Sequence, residues 1–358
     1  MTVMLSYSMR IGIIGAGLTG LSAALELQKK GYEVHLYEQE SIPGGLAMGF
    51  KDKNWNWPLE KHYHHIFTSD SAILSLANRT HQTFRFYRPN TSSLIENEIL
   101  QLDSPIKLLL FPKLSIVERL RMAAILGYLR YIADWKDLEQ YKAHTWLQKM
   151  MGKKGYTMLW EPLLRTKFGE QYYKDISLAW FWARIKARST QLGYPDGGFQ
   201  QFSEVLAKKV MKQKGIIIYK ATVTKIASQG VKKIIVYKSQ GKVFTEEFDS
   251  ILVTVPNIIF AAMAPELPET YKKQLRDFKG IGAVNMVLEL SKPMLPHNVY
   301  WLSICEKEYP FLAVVEHTNF IDKSHYNNNH IVYVGNYLPH GHRYFSLSKE
   351  KLLQEYDT

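Results

Sequence analysis

Cysteine is all but missing from this chain: among 358 residues only Cys305 is one. An internal disulfide is therefore excluded, and a reducing, cytoplasmic setting is expected. No run of about 18 uncharged apolar residues occurs, so no membrane-spanning helix is predicted. The opening residues, MTVMLSYSMR, lack the pattern of a secretory signal and lead straight into a strand. Met9 reads as the start of the folded part, and the eight residues before it as an unstructured extension. Acids are outnumbered, 33 Asp and Glu against 45 Lys and Arg, giving a formal charge of +12. The bases are spread along the whole chain, without zinc-finger spacing or an RNA-binding aromatic motif, so nucleic acid is not the expected partner. Internal repeats and low-complexity tracts are absent too.

What is present is the composition of a globular protein, 46% hydrophobic and 22% charged, at a length that suits two domains. Residues 10–14 read as a short buried strand, 18–30 as a helix closed by Gly31, and 33–37 as a second strand. The segment 42–70 is rich in loops. Ser115 is a good N-cap for a helix, with Glu118 placed to complete a capping box. Residues 138–190 look mostly helical, with breaks near GKKG and EPLL. GYPDGGF reads as a turn before a helix at about 200–213. After Gly215 the pattern changes to strands on short turns, then a helix over about 258–278, then strands again from 280 to 338. The expected fold class is α/β: a Rossmann-like nucleotide domain interleaved with a mixed α+β substrate domain. The expected boundaries are 9–70 and 196–278 for the nucleotide domain, and 71–195 and 279–345 for the substrate domain. Residues 346–358 read as the start of a further helix.

The stretch IGIIGAGLTG, Ile11 to Gly20, carries the chemistry. Gly15 permits the tight strand-to-helix turn, Gly17 leaves room for a pyrophosphate to approach the backbone, and Gly20 lets helix and strand pack closely. Ala16, Leu18 and Thr19 complete the turn, whose helix N-terminus offers free N–H groups to phosphate. Glu38, at the end of the second strand and followed by Gln39, can accept hydrogen bonds from both ribose hydroxyls and would repel a 2′-phosphate. That argues against NADP. The pair Gly44-Gly45, a short turn further on and ahead of Leu46 and Ala47, permits a second close approach, as an extended FAD requires.

From residue 11 to 47 the chain resembles flavoproteins of the monoamine oxidase, protoporphyrinogen oxidase and phytoene desaturase group. Many members of that group carry Arg after the glycine pair, where this chain has Leu46-Ala47. YTMLWEPLLRTKFGE, LAWFWARIKARS and GYPDGGFQQFSEVLAKKV are similar to a bacterial, protoporphyrinogen oxidase-like branch. The resemblance implies FAD as the cofactor, Gly197 and Gly198 near the flavin, Val223 against the adenine, and Thr254 and Pro256 near the cofactor. EKHYHHIF, residues 60–67, falls where the group places residues near flavin, and it also resembles an element of UDP-galactopyranose mutases. His64 and His65 are the acid–base candidates, weighed equally against histidines that only satisfy a polar loop. Neither is singled out, and no metal-ligand spacing accompanies them. Trp160, Trp180, Trp182 and Arg184 read as helix-packing residues.

The resemblance implies an FAD-dependent oxidoreductase that passes a hydride from a small organic substrate to flavin. Two alternatives stand beside it: a flavin-dependent mutase acting on a nucleotide sugar, and a non-catalytic or truncated chain of the same fold. The last is motivated by the glycine–acid segment that the group carries near its C-terminus and that is not found before Thr358. The stretch 105–135 mixes apolar residues with Lys107, Lys113, Arg119, Arg121 and Arg130. It is read either as a peripheral contact with an anionic bilayer or as a cover over the substrate cavity.

Overall fold

The computed structural model describes residues 8–278, 280–306 and 308–357, so seven of the eight residues read as an extension lie outside the described residues. Four strands form a parallel sheet in the order Ile216–Ile218, Glu33–Tyr37, Arg10–Ile14, Ser250–Val253. Two come from the start of the chain and two from some 200 residues later. The strands read as near-continuous apolar runs because both faces are covered. The helices Leu18–Lys29 and Gly198–Lys212 pack Leu21, Leu25, Phe202, Leu206 and Val210 against Ile11 and Ile13 on one face. A three-stranded antiparallel sheet, Thr222–Gln229, Lys232–Ser239 and Lys242–Phe248, covers the other face with Ile235, Tyr237 and Phe248. This is the expected α/β class, with a Rossmann-like sheet at its centre.

The second body is built on a six-stranded sheet ordered Ile281–Leu290, His330–Pro339, Ala313–Glu316, Val299–Ile304, Asn90–Ile95, Glu98–Gln101. Alternation sets its two faces. Along one strand Ile331 and Tyr333 point into an aromatic core with Trp55, Tyr63, Tyr194 and Tyr300. Val332 and Val334 point the other way, towards Tyr344, Leu352 and Tyr356 of the C-terminal segment. A helical layer runs from Pro105 to Ala187 around a core of Met122, Leu129, Leu147, Tyr156, Leu164 and Phe181. The capping box opens helix Ile116–Tyr131 as expected: Ser115 Oγ accepts the Glu118 N–H at 3.3 Å and Glu118 Oε2 accepts the Ser115 N–H at 2.8 Å.

Three local readings are corrected. The helix over about 258–278 is two helices, Asn257–Met263 and Glu269–Asp277, because Pro265 and Pro268 fall between them. The GYP part of GYPDGGF is not a turn but the end of a strand, Leu192–Pro195, paired on both sides by Ile66–Phe67 and Phe84–Tyr87. The break expected near GKKG is there, at Gly152 with φ +87°, whereas the second comes at Gly169, with φ +75°, rather than at EPLL. Pro162 sits at the first turn of its helix, where a missing N–H costs nothing.

Candidate functional site

The glycine turn is held by backbone geometry. Gly15 has φ +102°, and Gly20 has no room for a side chain: a Cβ there would lie 2.0 Å from the Gly15 carbonyl oxygen. Thr254 Oγ1 donates to the Ile14 carbonyl at 2.8 Å and lies 3.3 Å from that of Gly15, so it pins the end of the first strand. Helix Leu18–Lys29 begins with no side-chain cap and no acid in its first turn, which leaves its N–H groups unclaimed. Gly17 and Gly44 lie side by side as an isolated parallel bridge, with the Gly44 N–H donating to the Ala16 carbonyl at 3.0 Å. Two bare backbones thus form a floor beside an uncapped helix end. At its edge Glu38, buried, accepts the Ala16 N–H at 2.8 Å on Oε2 and the Glu40 N–H at 3.0 Å on Oε1. Each carboxylate oxygen keeps a second lone pair for a hydroxyl donor.

The other sequence candidates scatter more widely. Gln39 is exposed and Leu46 is 90% exposed, whereas Ala47 is buried. Val223 lies where the three-stranded sheet crosses Glu38: the Ala221 N–H donates to the Glu38 carbonyl at 2.8 Å. Pro256 is exposed at the start of helix Asn257–Met263. Gly198, with φ +79°, packs against Glu60 Oε1.

From the glycine floor the chain runs through the short pair Gly49–Phe50 and Leu59–Glu60 to a residue that sequence reasoning missed. Glu60 is 1% exposed. Its Oε2 accepts the Tyr194 hydroxyl at 2.6 Å and its Oε1 the Phe199 N–H at 2.6 Å, at the start of helix Gly198–Lys212. Burial pushes its carboxyl up to about 7, against the lowering pull of these two donors. A lone acid inside WNWPLEKHYHHIF was the only local signal, and its partners lie more than 130 residues away.

Beyond Glu60, three histidines line the space between the helical layer and the six-stranded sheet. His64 Nδ1 donates to the His62 carbonyl. Asn285 Nδ2 contacts His62 Nδ1. His65 Nδ1 lies 3.2 Å from the Tyr300 hydroxyl. Burial pushes His62 and His65 down to about 4, helped for His65 by Arg188 and Arg184 and opposed for His62 by the Asn285 contact. Both rings are therefore neutral at pH 7. Lys167 Nζ sits 4.5 Å from the centre of the Tyr337 ring, against which the His62 ring packs edge-on. Arg184, read as a packing residue, is largely buried and lies close enough to Arg188, Tyr337 and His65 for their charges to act on one another. Trp180 and Trp182 do pack within the helical layer, where Trp182 Nε1 donates to the Ala133 carbonyl at 3.0 Å. Among the described residues no group of three or more His, Cys, Asp or Glu could hold a metal ion.

A family model described as flavin containing amine oxidoreductase matches residues 18–358. The chain belongs to that family. Within the flavin containing amine oxidoreductases it is 46% identical over 48 residues to a zeta-carotene desaturase of Capsicum annuum, which is 13% of this chain and 8% of that protein. It is 31% identical over 81 residues to a hydroxysqualene dehydroxylase of Zymomonas mobilis, 23% of this chain and 20% of the relative. The chain thus covers well under two thirds of these curated relatives' lengths. Among solved structures, an oxidoreductase from Methanosarcina mazei superposes with TM-score 0.73 at 17% identity, over 97% of this chain and 82% of the other. A reduced UDP-galactopyranose mutase gives 0.73 at 18% identity, over 98% and 78%. Putrescine oxidase with putrescine bound gives 0.70 at 16%, over 98% and 82%. At such identities these likenesses establish the fold. The family's cofactor is a flavin, and the side-chain-free floor at Gly17 and Gly44, the uncapped helix end and the Glu38 carboxylate suit the ADP half of FAD.

Proposed function

We propose that this chain is an FAD-dependent oxidoreductase that takes a hydride from a carbon of a small organic substrate. The observation that carries the reading is the uncapped start of helix Leu18–Lys29 beside the bare Gly17–Gly44 bridge, with Glu38 at its edge. Gly15, Ala16, Gly17, Leu18, Thr19, Gly20, Gly44 and Gly45 would hold the pyrophosphate through backbone N–H groups, and Glu38 the ribose. When bound, the flavin accepts the electron pair. The protein's own part is to orient the substrate, exclude water and manage a proton. Tyr63, Tyr300 and Trp301 pack as an aromatic wall beside the histidines. His65 is held by Tyr300. When its Nδ1 donates to the phenol oxygen, Nε2 is a bare acceptor for a substrate proton. The visible spectrum of the purified protein tests this directly. A flavin band bleached by an oxidisable substrate without added reductant is the expected result. Protein that stays colourless after incubation with FAD sinks the reading. A flavin that must be reduced beforehand, with no net electron consumption, favours the rearrangement of a nucleotide sugar instead.

A second reading concerns location. Ile106, Leu110, Ile116 and Val117 are each between 67% and 75% exposed on two neighbouring helices, bound together where Arg119 Nη1 donates to the Leu109 carbonyl at 2.8 Å. Lys107 lies on the first of these helices and Arg119 on the second, while Lys113 between them is paired with Glu96 and Glu98. No helix among the described residues is long and apolar enough to cross a membrane. The arrangement suits peripheral contact with an anionic bilayer. Flotation with anionic liposomes, lost in Val117→Glu, is the expected outcome; a wild type that does not float removes this reading.

A further inference from the structure

Most basic side chains of the helical layer are accounted for. Arg165 pairs with Glu161 and Glu170, Lys142 with Asp175, Arg121 with the Lys149 and Met150 carbonyls, and Arg130 with the Ile185 and Arg188 carbonyls. Lys167, Arg184 and Arg188 are different. They are partly buried, and none has an ion pair or side-chain hydrogen bond among the described residues. They come from two helices that meet over the His62–His65 segment and Tyr337.

The three cations repel one another and their neighbours. Burial and the Arg184 charge push Lys167 down to about 8, and burial with the Arg188 charge pushes Arg184 down to about 10. Arg188 is lowered by burial and partly restored by Asp103. Among the described residues Asp103 forms no ion pair; its Oδ2 accepts Gln101 Nε2 at 2.6 Å and its Oδ1 has no partner. Counting Asp103, the cluster keeps an excess of about two positive charges. The buried Tyr63 hydroxyl faces the Tyr337 hydroxyl without a well-formed hydrogen bond. A protonated amine would be repelled from such a place, while a doubly charged anion would relieve it. Guanidinium forks match phosphate oxygens in pairs, and lysine adds a point charge.

We propose that Lys167, Arg184 and Arg188 form the recognition site for a phosphate or diphosphate group carried by the substrate, with Tyr63 as a neutral donor. The proposal rests on the oxidoreductase reading only for what happens to the substrate afterwards. Its reacting carbon would lie towards His65, and its charged end among the three cations. The substrate class is then an anionic phosphoester rather than a simple amine.

Titration calorimetry of the FAD-loaded protein with inorganic pyrophosphate at low salt is the test. We expect saturable binding that weakens at least tenfold in Arg184→Gln and in Arg188→Gln, and stays unchanged in Arg276→Gln on a remote helix. Because each variant removes an unpaired cation, its melting temperature without pyrophosphate should be equal to or above that of the wild type, whereas loss of a packing residue would lower it. Absence of saturable binding overturns the proposal, and so does equal binding by wild type and both site variants. The flavin band reports separately on the oxidoreductase reading. A missing band after incubation with FAD, with pyrophosphate binding still weakened in both site variants, defeats that reading alone, and a substrate-bleached flavin without pyrophosphate binding defeats this one alone.

Discussion

The Tyr194 hydroxyl donates to Glu60 at 2.6 Å in a setting where neither residue meets solvent. This bond and the one from the Phe199 N–H join the hairpin that leads out of the glycine floor to the helix that covers the sheet. Glu60→Ala would leave two buried donors without an acceptor, at a cost of about 1–3 kcal/mol each. A loss of roughly 2–5 kcal/mol in chemical denaturation is expected. Glu60→Gln keeps one acceptor and should lose less than Glu60→Ala.

Glu60 also gives a pH signature. Its folded value, about 7, lies above its ordinary one, so the folded state holds the proton where the unfolded state has lost it. The stability this confers is complete below about 4.5 and lost as pH rises through 7. Melting temperatures of wild type relative to Glu60→Gln should therefore fall between pH 5 and pH 8. A flat difference would show Glu60 ionised throughout.

The histidines act in the opposite sense. His317, buried with its Nε2 3.0 Å from the Tyr326 hydroxyl, is pushed down to about 3 by burial, and His62 and His65 to about 4. Unfolded histidines take up protons near 6.5. The stability that comes from keeping these rings neutral is complete above 6.5 and is lost as pH falls through 4. His317→Gln should reduce the steepness of acid unfolding, measured as the slope of melting temperature against pH between 6.5 and 4.

The nucleotide end of the fold was legible because its determinants are local. Gly15, Gly17, Gly20 and Glu38 fall within 24 residues of one strand–helix–strand unit, and each glycine has its own steric reason. The substrate end was not, because its determinants are distant in sequence. Residues 193–195 read as part of a turn until Ile66–Phe67 and Phe84–Tyr87 pair with the strand they end. The hairpin Asn90–Ile95 and Glu98–Gln101, with four Ser, Thr and Asn residues in its first strand, carried no apolar alternation to announce it. Glu60 has the local look of a loop acid, and only the aromatic residues folded over it raise its proton affinity. Arg184 sits in an apolar helix and reads as packing. Its significance lies in Lys167 and Arg188 near it, against which Asp103 sets a single carboxylate.

Two glycines of the turn offer a way to separate folding from cofactor binding. A Cβ at Gly20 would lie 2.0 Å from the Gly15 carbonyl oxygen, so Gly20→Ala must push helix and strand apart. Gly17 is different. Its φ of −72° suits any residue, and the nearest atom to an added Cβ is the Gly45 Cα at 3.6 Å, an ordinary contact. Gly17→Ala should leave the flavin-free protein's stability within about 0.5 kcal/mol of wild type. The added methyl group would nonetheless stand on the bare floor where a pyrophosphate has to approach. Gly17→Ala should therefore fold and lose flavin, while Gly20→Ala should lose both. Flavin absorbance per protein, read beside the melting temperature of the flavin-free form, distinguishes the two. If Gly17→Ala retains a full complement of flavin, the cofactor does not cross that floor, and the role given to the Gly17–Gly44 bridge is wrong.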